Sequence, residues 1–165
     1  MIPIYRHESK KEDSRMLAQR AEFGVCETDV WSFDIYMAKV MSNGLKELAR
    51  VAHGWPSKET WLGDFGFETY EEWISELNRI AKLLDFYSGI DGEEQKIWES
   101  IAWTDKDHQE MQFIDNGDGT STWIDNPTEN ELRWRELHRD YDDRRMKAKA
   151  EALSWIVKYW DALWD

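Results

Sequence analysis

The sequence predicts a mainly α-helical fold: a bundle of three long helices plus a short one, with a small β-hairpin near residues 111–124. Two observations support this fold class. Apolar residues recur every three or four positions over three long stretches, which is the period of an amphipathic helix. Between residues 111 and 124 the period falls to two around a polar turn with Gly117 and Gly119, a pattern typical of a hairpin.

The first long helix is predicted to begin after Thr28, a favourable N-cap, and to end at Gly54, ahead of Pro56. Residues 1–22 precede it and are polar and mixed in charge, so they form either a mobile arm or a short helix. The apolar positions that define this helix are Val30, Phe33, Met37, Val40, Gly44, Leu48 and Val51.

The second long helix is predicted to follow Thr69, which forms a capping-box pattern with Glu72, and to end at Gly89. A weaker helix is expected over residues 92–103. The apolar positions of the second helix are Tyr70, Trp73, Leu77, Ile80, Leu84 and Tyr87.

The last helix is predicted to use Asn126 as N-cap and Pro127 as its first residue, and it continues to the C-terminus without a breaker. A length of 165 residues suits a single helical domain, in which residues 110–125 form a hairpin insertion. That hairpin either packs on the bundle or is an exposed contact arm. The apolar positions of the last helix are Leu132, Leu137, Tyr141, Ala148, Ala152, Ile156, Trp160 and Leu163.

Charge is unevenly distributed along the chain. The net charge is −13, and residues 59–131 alone contain 19 acidic and 4 basic residues. This excess disfavours direct binding of nucleic acid and favours a partner with a basic surface. The 11 Trp residues exceed what one small core needs, and surplus Trp is typical of interfaces.

The compartment is also indicated by composition. A single cysteine fits a reducing cytoplasm, and we expect no signal peptide, since the N-terminus lacks an apolar core region. No apolar run reaches the roughly 18 residues that a membrane span needs, so no membrane association is expected.

Asp34 is the one polar residue that falls among the apolar positions of the first long helix, beside Met41 and Ala52. We expect it to be semi-buried, and a buried carboxylate needs a hydrogen-bond donor. It therefore forms a structural bond between helices or belongs to a ligand pocket. The donors considered are Arg133, Arg135, Arg139, His53 and a Trp N–H group.

No catalytic, cofactor or metal motif is found. A calcium loop over residues 114–125 fails because Ile114 occupies the position that requires an aspartate. Asp105 and His108 lie one helical turn apart, but no second pair of potential ligands accompanies them. The sequence therefore predicts no metal site and no cofactor.

One resemblance is carried by aromatic-anchored helix motifs. The stretch "GVCETDVWSFDIYMAKVMSNGLKELARVAHGWP", the later "FETYEEWISELNRIAKLL" and the closing "YWDALWD" resemble small acidic proteins encoded by tailed phages and prophages. The shared pattern is D-x-W-x-x-D-x-x-x-A-K, a turn of the form HGYP or HGWP, then EEW and a final LWD. The resemblance covers residues 23–88 and about the last dozen. It implies a phage or prophage origin and no mechanism.

Three functions remain open. The first is a non-enzymatic interaction protein that inhibits a host or defence factor in the bacterial cytoplasm through an acidic, Trp-rich surface, with nucleic-acid mimicry as a narrower version. The second is a small-ligand (nucleotide) binding protein or enzyme with a pocket around Asp34, and the third is a minor virion or assembly protein. A homo-oligomer is compatible with each. The candidate binding residues are Trp31, Asp34, His53, Trp55, Trp61, Glu71, Glu72, Glu93, Glu94, Trp98 and Trp123.

Overall fold

The computed structural model describes residues 10–59, 65–107 and 112–163. Its five helices contain more than half of the chain, and its two strands form an antiparallel hairpin, so the predicted fold class is confirmed. The elements are α1 (Lys10–Phe23), α2 (Phe33–Val51), α3 (Tyr70–Ser88), α4 (Glu93–Glu99), β1 (Gln112–Asp115), β2 (Ser121–Ile124) and α5 (Glu129–Lys158).

The core lies between α2, α3 and α5, with α3 in the middle. Contacts from both ends of α3 show that α2 and α5 each run antiparallel to it. Trp73 of α3 is 1% exposed and stacks on Trp155 of α5, with 5.6 Å between ring centroids. Each fully buried Leu or Ile in this core stabilises the fold by roughly 1.5–3 kcal/mol. The buried face of α3 includes five of the predicted positions, namely Trp73, Leu77, Ile80, Leu84 and Tyr87. Ala81 joins them, whereas Tyr70, which was also predicted, is only half-buried.

The buried face of α2 differs from the predicted one. Ala38 and Ser42 face α3, whereas Phe33 and Val40 stay 49% and 46% exposed. At 100° per residue, the buried stripe is rotated by about 100° from the predicted stripe. Small side chains explain the difference, because they let α3 approach closely and the Ser42 hydroxyl donates to the Ala81 carbonyl at 3.1 Å. Hydrophobic periodicity alone does not indicate which face of a helix carries side chains small enough for close packing.

The ends of α3 lie where the sequence predicted them, whereas the ends of α2 do not. The Thr69 hydroxyl accepts the Glu72 N–H at 3.1 Å, and Gly89 ends α3 in the left-handed conformation at φ +73°. Thr28 makes no side-chain cap; a 3₁₀ turn, Asp29–Ser32, separates it from α2. The same helix ends at Val51, before the predicted Gly54, because the next residue has extended backbone.

The short and the last helix also begin or end elsewhere than predicted. α4 covers only Glu93–Glu99 of the expected 92–103. The N-cap of α5 is Thr128 rather than Asn126, because Thr128 and Glu131 form a complete capping box. Two side chains predicted to face the core, Leu132 and Trp160, are instead 53% and 64% exposed.

The connection from α2 to α3 closes against the core through Phe67. Its ring lies 5.2 Å from that of Trp73 and 5.4 Å from that of Tyr159, and its N–H donates to the Pro56 carbonyl. At the preceding residue, Gly66, a Cβ atom would lie 2.4 Å from the backbone nitrogen of Lys58. Only glycine therefore fits there without displacing the backbone.

The hairpin projects from the bundle. Phe113 of β1 pairs with Trp123 of β2, and every side chain described from residue 113 to residue 126 is exposed. An ion pair between Asp125 and Arg135 attaches the base of the hairpin to α5. Each Asp125 carboxylate oxygen accepts a hydrogen bond from an Arg135 guanidinium nitrogen at 2.7 Å. Of the two alternatives, the hairpin is thus an exposed arm.

Of the two expectations for residues 1–22, the part that the structure describes fits the short helix, since α1 begins at Lys10. Arg20 of α1 makes a bidentate ion pair with Asp29 at 2.7 and 2.9 Å, and Asp29 also accepts the Cys26 N–H. Asp29 is 9% exposed, and mainly the Arg20 guanidinium holds the pKa of that carboxyl well below its usual range. This pair attaches α1 to the start of α2.

Candidate functional site

Asp34 and Tyr87 meet where α2, α3 and α5 come together. Asp34 lies in the first turn of α2 and Tyr87 in the last turn of α3, and the Tyr87 hydroxyl donates to the Asp34 carboxylate. From α5, the Arg145 guanidinium donates two hydrogen bonds to the Tyr87 carbonyl, at 2.7 and 3.0 Å. The Lys149 ammonium lies 5.1 Å from the centre of the Tyr87 ring. This cluster connects three helices at one end of the bundle.

The electrostatics of the cluster suit a structural bond. The Tyr87 hydroxyl is the main cause that lowers the pKa of Asp34. Burial, followed by the bond to Asp34, raises the pKa of Tyr87. Asp34 therefore stays ionised and Tyr87 stays neutral around neutral pH, so neither group is poised to exchange a proton there.

The donor to Asp34 is none of the candidates considered from the sequence. The helical period places Tyr87 on the apolar face of its helix, but a Tyr in such a position still needs a partner for its hydroxyl. Asp34 itself is exposed rather than semi-buried, because it lies in the first turn of α2, at the end of the contact between the helices. The hydrogen bond between helices that was expected for Asp34 is therefore present, whereas Asp34 is not enclosed as a residue of a ligand pocket would be.

The other pocket candidates do not gather around Asp34. His53 lies beyond the far end of α2, so 19 residues at about 1.5 Å per residue place it more than ~25 Å away. Trp31 is 91% exposed on the 3₁₀ turn before α2. Trp55 is 41% exposed and meets Tyr70 edge to face at the opposite end. No pocket is therefore shared by Trp31, Asp34 and His53.

The four candidate glutamates have different surroundings. Glu93 forms an ion pair with Arg144 at 2.5 Å, and Glu94 lies 3.3 Å from His138, so both already contact α5. The Glu72 carboxylate accepts the Glu68 N–H at 3.0 Å at the start of α3. Glu71 is exposed in the same turn, and no ion pair joins it to the described residues. Part of the acidic excess is thus neutralised within the bundle.

Trp98 belongs to a second aromatic cluster, between α4 and α5. It stacks on Trp103 at 4.5 Å and meets Trp134 edge to face at 6.3 Å. The Trp103 indole N–H donates to the Trp98 carbonyl at 3.0 Å. Trp98 and Trp103 are only partly exposed, so their main role in the described structure is to hold α4 on α5.

Trp123 is the candidate Trp of the acidic segment that projects outward, with 54% of its surface exposed on the hairpin. Trp61 lies outside the described residues, as does His108 of the pair considered for metal binding. Within the described parts of the chain, no group of three or more His, Cys, Asp or Glu side chains is placed to hold a metal ion.

Asp107 is a buried carboxylate that the prediction missed. It accepts the N–H and the hydroxyl of Thr104 at 2.7 and 2.8 Å, the Thr128 hydroxyl at 2.5 Å and the Asn130 amide at 3.0 Å. Chiefly the bonds from Thr128 and Asn130 hold its pKa well below the usual range. The T-x-x-D spacing from Thr104 is a capping signal that could have identified it. Its role is to hold the end of the α4 region on the start of α5.

Comparison of the sequence with protein-family models found no match, and comparisons with curated proteins and with solved structures found none either. Among the described helices, none combines the length and the apolar character that crossing a bilayer requires.

Proposed function

We propose that this chain is a non-enzymatic interaction protein that binds a partner with a basic surface through its hairpin and the neighbouring acidic segment. The observation that carries the proposal is the exposure of large apolar side chains on both faces of the hairpin. Phe113 and Trp123 are 60% and 54% exposed on one face, and Ile114 is 55% exposed on the other. A two-stranded hairpin is marginal in water, so binding of a partner would stabilise it.

The charge of the hairpin indicates the kind of partner. Residues 112–125 contain three aspartates and no Lys or Arg. Asp115 and Asp118 lie at the tip, where each accepts a local backbone N–H and fixes the turn. Acidic groups around exposed aromatic side chains fit a basic surface with an apolar centre, because the charges speed encounter and the aromatic side chains supply affinity.

The setting of the proposal is a bacterial cytoplasm, with a host or defence protein as the inhibited partner. The phage or prophage origin rests on the sequence resemblance alone. A ligand pocket around Asp34 has less support, since Asp34 and His53 lie at opposite ends of α2. A minor virion or assembly role remains an outcome that cofractionation with purified virions would reveal.

The test compares Trp123→Ala with Trp31→Ala as matched control, using each protein as bait in a bacterial lysate. Trp31 is more exposed, at 91%, but lies outside the acidic segment. Loss of a central aromatic contact costs 2 kcal/mol or more, so we expect Trp123→Ala to reduce capture at least about tenfold and Trp31→Ala to leave it unchanged. Equal capture by both variants and the wild type would refute the proposal.

A second measurement tests the charge. The double variant Asp115→Asn with Asp118→Asn keeps the acceptors that fix the turn, since an asparagine oxygen also accepts a hydrogen bond. We expect it to slow association with the captured partner at low salt and to have little effect at high salt, where exposed charges are screened. An association rate that is independent of salt and charge would contradict the basic-partner assignment.

A further inference from the structure

Helix α5 presents a second apolar stripe, separate from its buried face. The stripe consists of Met146, Ala150, Leu153, Val157 and Trp160, the last on the 3₁₀ turn that continues the helix. Its spacing of four, three, four and three residues is the heptad spacing of helices that pair along their length. All five side chains are exposed, and Val157 and Trp160 are exposed by 76% and 64%. We call this set the α5 stripe.

The α5 stripe is not the face that holds the bundle together. Ala152, Trp155 and Ile156 are buried in the core with α3, about 130° around the helix from the centre of the stripe. Helix α5 therefore has one apolar surface that folding uses and another that folding leaves in solvent. Contiguous exposed apolar surface of this kind marks an interaction site.

We infer that the α5 stripe pairs with the same stripe of a second copy of this chain, in antiparallel orientation. In that orientation, Ala150 faces Trp160 of the second copy, and Leu153 faces Val157 of the second copy. The smallest side chain of the stripe thus meets the largest, and two side chains of intermediate size meet at the centre. A two-fold axis repeats each contact, as a closed dimer requires.

The charges beside the stripe fit the same arrangement. Lys147 and Asp161 lie on the same flank, one near each end, and both are exposed. Neither makes an ion pair within the described parts of the chain. Antiparallel pairing places the Lys147 of each copy beside Asp161 of the other, which gives two equivalent ion pairs. A parallel pair would instead bring Lys147 toward Asp142, which already contacts His138 at 3.1 Å and Arg145 at 3.6 Å.

This inference is independent of the proposed function, because the α5 stripe and the hairpin are different surfaces. A dimer would present two hairpins to its partners. Loss of dimerisation with capture intact, or the reverse, would therefore separate the two proposals.

The first test measures molar mass by sedimentation velocity over a range of concentrations. We expect the wild type to dimerise and Val157→Glu to remain a monomer with an unchanged circular dichroism spectrum, since the side chain is mostly exposed. Lys147→Glu should weaken the dimer at least about fivefold, and adding Asp161→Lys should restore it. A monomeric wild type at the highest concentration, or a double variant no better than Lys147→Glu, overturns the inference.

The second test fixes the orientation by disulfide cross-linking. Antiparallel pairing places Ser154 close to Ser154 of the second copy, beside the two-fold axis. In the same pair, Ala150 and Ala150 of the second copy are offset along the helices by ten residues, or about 15 Å. Under mild oxidation we expect Ser154→Cys to form a covalent dimer and Ala150→Cys to remain a monomer. The native Cys26 is 2% exposed and does not interfere. A covalent dimer of Ala150→Cys, or none with Ser154→Cys, contradicts the antiparallel pair.

Discussion

Replacement of Tyr87 by Phe removes one hydroxyl and leaves the ring in place, so it isolates the bond to Asp34. The hydroxyl is the first cause of the lowered pKa of Asp34. A hydrogen bond to a charged group contributes about 1.5–3 kcal/mol, and the exposure of Asp34 reduces that value through solvent screening. We expect Tyr87→Phe to lower the free energy of unfolding by about 1 kcal/mol at pH 7, or roughly 2–4 °C in Tm.

The pH dependence of this loss has a definite sign. Because the pKa of Asp34 is lower in the folded state, its bond contributes in full above the unfolded pKa and is lost as the pH falls through the folded pKa. The difference in unfolding free energy between wild type and Tyr87→Phe should therefore shrink as the pH falls from neutral into that acidic range. Because the pKa of the Tyr87 hydroxyl is raised in the folded state, the wild type should also lose stability as the pH rises through that folded pKa.

Urea unfolding followed by circular dichroism, from pH 7 down into the acidic range, measures this dependence. Tyr70→Phe is the matched control, since the Tyr70 hydroxyl donates to the uncharged Ala52 carbonyl at 2.9 Å. Its cost should be about 1 kcal/mol and independent of pH in the acidic range. The reasoning fails if Tyr87→Phe costs nothing at pH 7, or if its cost is as insensitive to pH as that of the control.

Two further predictions concern other contacts of the fold. Gly66→Ala should destabilise the protein by about 1–3 kcal/mol, because its Cβ would lie 2.4 Å from the Lys58 backbone nitrogen; thermal unfolding measures this, and an unchanged Tm would contradict it. Arg20→Ala should leave Asp29 without its guanidinium partner and lower stability by roughly 1–2 kcal/mol. Amide hydrogen exchange should then accelerate within residues 10–23, and unchanged exchange there would show that the ion pair does not hold α1.

The sequence predicted best those features that depend on local signals. Helix α3 begins after Thr69 and ends at Gly89 as expected, since a side-chain cap and a left-handed glycine act within a few residues. The hairpin was found from its change of period and its glycines. These features require no knowledge of what packs against them.

Features that depend on a neighbouring helix were predicted less well. The face of α2 was placed about 100° away because Ala38 and Ser42, which let α3 approach, carry little hydrophobic signal. The donor to Asp34 was missed because Tyr87 lies 53 residues away and its hydroxyl was not counted. The Arg20–Asp29 pair joins α1 to a 3₁₀ turn, whereas the sequence predicted that Asp29 belongs to the first long helix.

The distribution of tryptophan suggests which side chains remain for partners. Trp73 and Trp155 stack in the main core, and Trp98 stacks on Trp103 to hold α4 on α5. A Trp committed to such a stack cannot leave it for a partner without loss of the packing that stabilises the fold.

Trp31, Trp123 and Trp160 are each more than half exposed, and they lie on three different elements. Periodicity assigned Trp160 to the core, because an apolar stripe with helical spacing looks the same whether it packs inside one chain or against another. Exposure in the folded chain distinguishes the two cases. Trp123 lies among aspartates and suits a basic partner, whereas Trp160 lies at the end of a heptad stripe and suits a second copy. The two proposed contacts can therefore be tested separately, one substitution at a time.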